Sequence, residues 1–345
     1  MGLIIHAPSV HQGGGKSLLL AVLDASKNET ECKFILDVRL PLPGKLPNNV
    51  LEIRAKPTIL SRLAAEWRLS SLATDKDTVL CFGNLPPLFG SRGRVIVFLQ
   101  NRYLIGRPSF TGVTLFEKLR IHLKRLWLNL RLSNVTTIIV QTPSMQHEVL
   151  KATGINARVL PFLENPLTYE RSGVESKTDK VPEYDFVYVA SGEPHKNHIN
   201  LIEAWILLAE QGDYPSLCLT VSKKQFPELC SRIDVETATH RLKIENHSGS
   251  SVQVHELYAK AGALIYPSTM ESFGLPLIEA RNAGLPVIAS ELDFVRDIID
   301  PDQSFDPDSP VSIARAVKRY FGGREKALPL ITADEFMRQV LTSPV

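Results

Sequence analysis

Cysteine is scarce in this sequence, with four residues in 345, at positions 32, 81, 218 and 230. They stand too far apart for a C-x-x-C or a Cys/His cluster. That excludes a disulfide framework and a zinc site of the usual spacing, and leaves reduced, mostly buried thiols as the expectation. Long apolar runs are missing too. No stretch reaches the ~18 apolar residues of a membrane span, and the opening MGLIIHAPSV has neither a positive region nor a small-residue cleavage site, so a cytoplasmic protein is expected. A strong charge of either sign is also absent. Thirty-nine Lys and Arg against 37 Asp and Glu give a formal net charge of +2. No chain-wide field therefore favours nucleic acid, and attraction to an anionic membrane would need a local patch. Internal repeats and low-complexity segments are lacking, which excludes solenoid and fibrous architectures.

What is present suits a sizeable core: 44% of residues are hydrophobic and 22% charged, and the length predicts two α/β domains with a cleft between them. Leu3 to His6 reads as a strand, Gly13-Gly14-Gly15 as a loop and Ser17 to Ala25 as a helix, which is how a doubly wound domain begins. Short Val/Ile/Leu runs at 33–38, 78–82, 95–100 and 137–141 suit parallel strands covered on both faces. The polar stretch 169–183 reads as a linker. A second alternation follows: strand 186–190, helix 199–211, strand 217–221, helix 254–261, strand 263–266, strand 286–289 and helix 311–321. The expected division is 1–168, a first Rossmann-like domain; 169–183, a linker; 184–325, a second Rossmann-like domain; and 326–345, a final helix.

The densest chemistry lies in Tyr266 to Ala289. Pro276 suits the first helical residue because its missing N–H costs nothing there, and Gly284 followed by Pro286 marks the stop. That helix begins at the carboxyl end of strand 263–266, where open α/β sheets bind ligands. The amides of Phe273, Gly274 and Leu275 are expected to point outward and favour an anion or hydroxyl. Glu271 precedes the helix and Glu279 lies inside it, so the two carboxylates are expected at different depths of one pocket.

Glu271-Ser-Phe-Gly-Leu-Pro-Leu-Ile-Glu279, preceded by Pro267-Ser268 and followed by Ala283-Gly284-Leu285-Pro286-Val287, resembles the E-x7-E donor signature of family 4 retaining glycosyltransferases with the GT-B fold. The resemblance implies two Rossmann-like domains facing a central cleft and a nucleotide sugar, a GDP- or UDP-hexose, as donor. Glu271 would then contact the donor sugar, and the amides of Phe273 to Leu275 would hold hydroxyl or phosphate oxygens. Glu279 would bind the ribose hydroxyls. Ser191-Gly-Glu-Pro-His-Lys196-Asn197 resembles the family's Lys-Asn segment, which makes Lys196 the cation on the leaving diphosphate. Gly13, Gly14 and Gly15 are similar to the family's first glycine loop, where a Cβ would collide with the approaching donor.

Two features depart from the family pattern. Ser191 stands where an arginine is common, with His195, Lys223 and Lys224 as candidate substitutes. Gln100 and Asn101 stand near the point of an acceptor-side histidine; they can hydrogen-bond a sugar but cannot act as a general base. These departures keep a second reading open, a nucleotide-sugar-binding protein with weakened turnover. Gly15-Lys16-Ser17 also resembles the end of a Walker A loop, but Val10 occupies the place of its first glycine and no magnesium-binding aspartate follows.

Asp300-Pro-Asp302 and Asp306-Pro-Asp308 read as Asp/Pro turns rather than a metal site, so no metal cofactor is expected and donor turnover should survive EDTA. From 115 to 132 the chain reads as a helix with Phe116, Leu119, Leu123, Leu126, Trp127 and Leu130 on one face and basic residues mostly elsewhere. This fits either a helix lying on an anionic leaflet, where a polyprenyl-linked acceptor would be presented, or a core helix with a solvated basic back. The resemblance implies transfer of a hexose with retention to a glycan or lipid-linked acceptor in O-antigen, capsule or related polysaccharide assembly. GDP-mannose is the leading donor; the residues do not separate GDP from UDP.

Overall fold

A computed structural model describes residues 2–26, 31–44, 46–47, 50–106, 114–162, 181–247 and 253–323. Two parallel sheets carry the fold. In the first, β1 (Leu3–Ala7), β2 (Cys32–Asp37), β3 (Val50–Ala55), β4 (Thr78–Cys81), β5 (Arg94–Phe98), β6 (Thr137–Val140) and β7 (Arg158–Val159) lie in the order 3-2-1-4-5-6-7. In the second, β8 (Tyr184–Tyr188), β9 (Leu217–Leu219), β10 (Ile244–Asn246), β11 (Ala261–Tyr266), β12 (Val287–Ser290) and β13 (Gln303–Phe305) lie in the order 10-9-8-11-12-13. Each reverses direction of winding beside its first strand, which is the doubly wound pattern with its ligand crevice at the carboxyl ends of the strands flanking that point. The two expected Rossmann-like units are therefore present.

Helices cover both faces, so strand residues are buried on alternate sides. In the first domain Ile4, Ile35, Val79, Val95, Val97 and Ile138 join one cluster, while Ile5, Phe34, Leu36, Phe82 and Phe98 join another. The second domain builds its core around Phe186, Tyr188, Trp205, Tyr266, Ile288 and Phe294. Trp205 is buried yet satisfied, its indole N–H donating to the Pro215 carbonyl at 2.9 Å. All four cysteines are buried, as expected.

Several boundaries move. α1 spans Gly13–Ala25, so the three glycines form its first turn instead of a loop before it. α8 spans Leu275–Asn282 and starts one residue before Pro276, because Gly274 serves as its N-cap in a left-handed conformation, φ 74°. That φ suits glycine and strains any residue with a Cβ. The short strands β3, β7, β10 and β13 and the helix α6 (Pro227–His240) were not anticipated. The remaining helices are α2 (Ile59–Leu72), α3 (Leu115–Arg131), α4 (Pro143–Thr153), α5 (His198–Glu210), α7 (Val254–Lys260), α9 (Asp293–Arg296) and α10 (Pro310–Tyr320). The expected final helix, 326–345, and most of the linker lie outside the described residues.

α3 overturns the core-helix alternative. A capping box joins Thr114 and Glu117 at its start, but Leu128 is its only buried residue. Phe116, Leu119, Leu123, Leu126 and Leu130 are 55–76% exposed. The reason is polar: Arg125 turns inward and donates to the carbonyls of Tyr103 and Gly106 at 2.8 and 2.7 Å, and Trp127 donates to Pro86 at 3.1 Å. Those bonds anchor the helix through its mixed face and leave the apolar stripe outside. α2 likewise exposes Ile59, Leu60, Leu63 and Trp67. No helix among the described residues is long and apolar enough to cross a membrane.

Candidate active site

The loops after β8 and β11 meet at the carboxyl edge of the second sheet. The turn Pro194–Lys196 follows β8 and is pinned from three sides. Tyr188 donates its hydroxyl to the Lys196 carbonyl at 2.8 Å, the Thr269 amide donates to the His195 carbonyl at 2.8 Å, and Asn197 donates its side-chain amide to Pro267 and Pro307 carbonyls at 3.1 and 2.7 Å. Asn197 sits at φ 61°, a left-handed position that asparagine tolerates. This turn aims Lys196 at Glu271: the ammonium lies 2.5 Å from Glu271 Oε1, with both side chains largely buried. Ser268, itself fully buried, donates to the same oxygen at 2.7 Å.

Burial alone would raise the Glu271 pKa, but Lys196, the nearby His195 and Ser268 outweigh it and hold the carboxyl below its ordinary range. Glu279 goes the other way. Burial raises it, against a 3.1 Å hydrogen bond donated by Tyr258. The two carboxylates therefore occupy separate environments, as their positions before and within α8 implied. One is a charged partner of lysine, the other a desolvated acceptor on the helix flank. No hydrogen bond within the described residues uses the amides of Phe273, Gly274 and Leu275.

The glycine turn of α1 faces this loop from the first domain. A Cβ on Gly14 would lie 2.9 Å from Leu275 Cδ1, and one on Gly15 3.1 Å from Gln100 Oε1. The neighbour of Gly14 belongs to the opposite domain and that of Gly15 to its own. Gln100 and Asn101 both donate backbone amides to Asn84 Oδ1, at 2.5 and 2.8 Å. Asn101 Oδ1 accepts from the Tyr103 amide at 3.0 Å and so caps the turn Arg102–Leu104. Gln100 Nε2 is buried without a hydrogen-bond partner.

Ser191 donates to Glu193, so its hydroxyl is already engaged. Burial and Lys196 lower the His195 pKa, and its Nδ1 is buried without a hydrogen-bond partner among the described residues. Lys223 is exposed and 3.8 Å from Asp234, and Lys224 is exposed. Asp302 accepts from the Val287 amide at 2.8 Å and Asp306 from the Asp308 amide at 2.9 Å, the work of turn-forming aspartates.

Sequence reasoning missed Tyr258, Arg102, Glu148 and Tyr103. A cavity of 880 Å³ opens between the domains beside Lys196, lined by Arg102, Tyr103, Glu148, His195, Glu228 and Arg232. Only Arg102 carried a signal, as the charged residue next to Gln100-Asn101.

Two doubly wound domains facing a cleft, with the glycine turn on one side and the paired Lys196–Glu271 and Tyr258–Glu279 on the other, define the GT-B class. Residues 174–333 match the family Glycosyl transferases group 1. A serotype-specific mannosyltransferase, WbdA, of Escherichia coli is 31% identical over 137 residues, covering 39% of this chain and 17% of its own length. The chain thus spans about a sixth of that relative. The O-antigen chain mannosyltransferase RfbU of Salmonella typhimurium is 23% identical over 284 residues, 80% of this chain and 74% of the relative. Among solved structures, that of Anabaena Alr3699/HepE in complex with UDP shares the fold, with a TM-score of 0.66, 15% identity, and coverage of 93% of this chain and 90% of that one.

Proposed function

We propose that this chain is a retaining hexosyltransferase that moves a hexose, mannose first, from a nucleotide diphosphate sugar to a glycan or polyprenyl-linked acceptor in surface-polysaccharide assembly. The observation that carries the reading is the buried Lys196–Glu271 pair beside the free amides of Phe273 to Leu275, with Glu279 farther along α8 accepting from Tyr258 of α7. Lys196 shares its charge between Glu271 and the leaving diphosphate, Glu271 holds a sugar hydroxyl, and the amides accept developing negative charge without reorganising. Glu279 accepts from the ribose hydroxyls. The match to two mannosyltransferases, one of them an O-antigen chain mannosyltransferase, supports mannose.

The acceptor approaches from the first domain. Seven Lys and Arg against two Glu lie on α2 and α3, out of chain totals of 39 and 37, so the rest of the chain carries 32 against 35. This positive face, with its exposed Leu, Ile, Phe and Trp side chains, suits peripheral docking on an anionic, cytoplasmic leaflet. The enzyme needs no metal in this proposal.

The test is a thermal-shift screen against GDP, UDP, ADP and ATP with and without EDTA, followed by turnover of the matching sugar nucleotides. At 100 times its dissociation constant a ligand adds ~2.7 kcal/mol, a shift of a few degrees. Stabilisation by GDP or UDP that survives EDTA and is lost in Glu279→Ala supports the reading. Stabilisation by magnesium-ATP alone overturns it, and binding without turnover favours the weakened nucleotide-sugar-binding alternative.

A further inference from the structure

The donor loop of the second domain is gripped from the first. Arg102, at the start of the turn after β5, donates Nε to both carboxylate oxygens of Glu148 on α4 at 2.8 and 3.0 Å, and a further bond runs from Nη2. Its remaining nitrogen, Nη1, crosses the cleft to the backbone carbonyl of Glu271 at 3.2 Å. Thr142, the N-cap of α4, donates its hydroxyl to the Ser272 carbonyl at 3.4 Å. In return Asp297, at the end of α9, accepts from the Ser144 amide in the first turn of α4 at 2.9 Å. Tyr103 sets its ring against His195, centroids 5.9 Å apart.

These contacts have a stereochemical consequence. A trans peptide is planar, with its N–H antiparallel to its C=O. Holding the carbonyls of Glu271 and Ser272 therefore sets the directions of the Ser272 and Phe273 amides. Phe273 is the first of the three amides left free at the head of α8, so its aim depends on a side chain from the other domain.

We infer that Arg102, oriented by Glu148, is a positioning residue that fixes the Glu271–Ser272 peptide plane across the cleft and, with Thr142 on the next carbonyl, aims the free amides at the head of α8. The fork geometry matters: one guanidinium binds a carboxylate through one edge while another nitrogen reaches a carbonyl, which an ammonium on a flexible stem cannot reproduce. The inference rests on the glycosyltransfer reading for its kinetic consequence and on geometry alone for its structural one.

The experiment uses the full chain with Arg102→Lys and Glu148→Gln, neither of which changes a group that touches the donor. Amide hydrogen exchange of the peptide spanning 271–275 is measured first, then affinity for GDP and UDP, then kcat and KM for the sugar nucleotide. We expect faster exchange in that peptide in both variants, nucleotide affinity within about twofold of wild type, and kcat lowered about tenfold or more, since a small misplacement acts on the transition state. Unchanged exchange in a folded variant overturns the inference, as does a nucleotide affinity that falls in parallel with kcat. Should Arg102→Lys fail to fold, Glu148→Gln carries the same readouts. Failure of the wild type to bind any nucleotide sinks the functional reading instead, and the exchange measurement still decides the clasp.

Discussion

Replacing Lys196 with Met should reverse the sign with which Glu271 affects stability. In the native protein the two side chains are 16% and 12% exposed and lie 2.5 Å apart. Removing one partner of a buried pair costs about 3–5 kcal/mol, because the other charge stays desolvated. The Ser268 hydroxyl, 2.7 Å from the same oxygen, remains and offsets on the order of 1 kcal/mol, so the expected loss at neutral pH is about 2–4 kcal/mol. The pH dependence makes the test sharp. In the wild type the folded pKa of Glu271 is depressed, so its contribution is present above the unfolded value and lost as pH falls through the folded one. Without Lys196 the leading effect is burial, which raises the folded pKa. The deficit of the variant should then be largest near pH 7 and shrink toward zero below about pH 4. Urea unfolding followed by Trp205 fluorescence, in a background with Trp67→Phe and Trp127→Phe, isolates the second domain. The double variant Lys196→Met, Glu271→Leu should recover most of the loss. Equal deficits at pH 4 and pH 7.5, or a double variant less stable than the single one, would refute the argument.

Two further outcomes are expected. Leu119→Ser with Leu123→Ser should abolish flotation with vesicles containing anionic phospholipid, and wild-type binding should weaken with salt, because the face combines exposed apolar surface with cations; salt-insensitive binding, or equal binding to purely zwitterionic vesicles, would count against the proposed docking. In the first domain, burial lowers His6 to about 4 and raises Glu66 to about 7, with the two 3.4 Å apart. Their proton linkages have opposite signs and largely cancel between about pH 4.5 and 6.5. Glu66→Gln should leave His6 uncompensated, so that stability rises with pH from 4 to 6.5 by on the order of 3 kcal/mol, measured by urea unfolding; a flat profile would contradict the assignment.

The parts legible in the sequence were local. Strand, glycine turn and helix at 3–25, and strand, loop, proline-started helix and glycine stop at 263–284, follow from periodicity and backbone chemistry that act over a few residues. That is why the amides of Phe273 to Leu275 and the different depths of Glu271 and Glu279 could be named in advance, whereas Lys196 came from the resemblance to the family's Lys-Asn segment. The short edge strands β3, β7, β10 and β13 escaped because two to six residues hold too little pattern to rise above their surroundings.

The sequence by itself determined the two doubly wound units, the buried thiols and the order of residues along the donor loop, because propensity, capping and hydrophobic alternation act between near neighbours in the chain. Tertiary structure alone decided which of those residues meet. Lys196 pairs with Glu271 across 75 positions, and Arg102 reaches the Glu271 carbonyl across 169. It also decided that α3 turns its apolar stripe outward. A periodic pattern fixes the angle of a stripe around a helix, whereas the side that faces the protein depends on what the neighbouring elements offer, here two carbonyls that Arg125 satisfies.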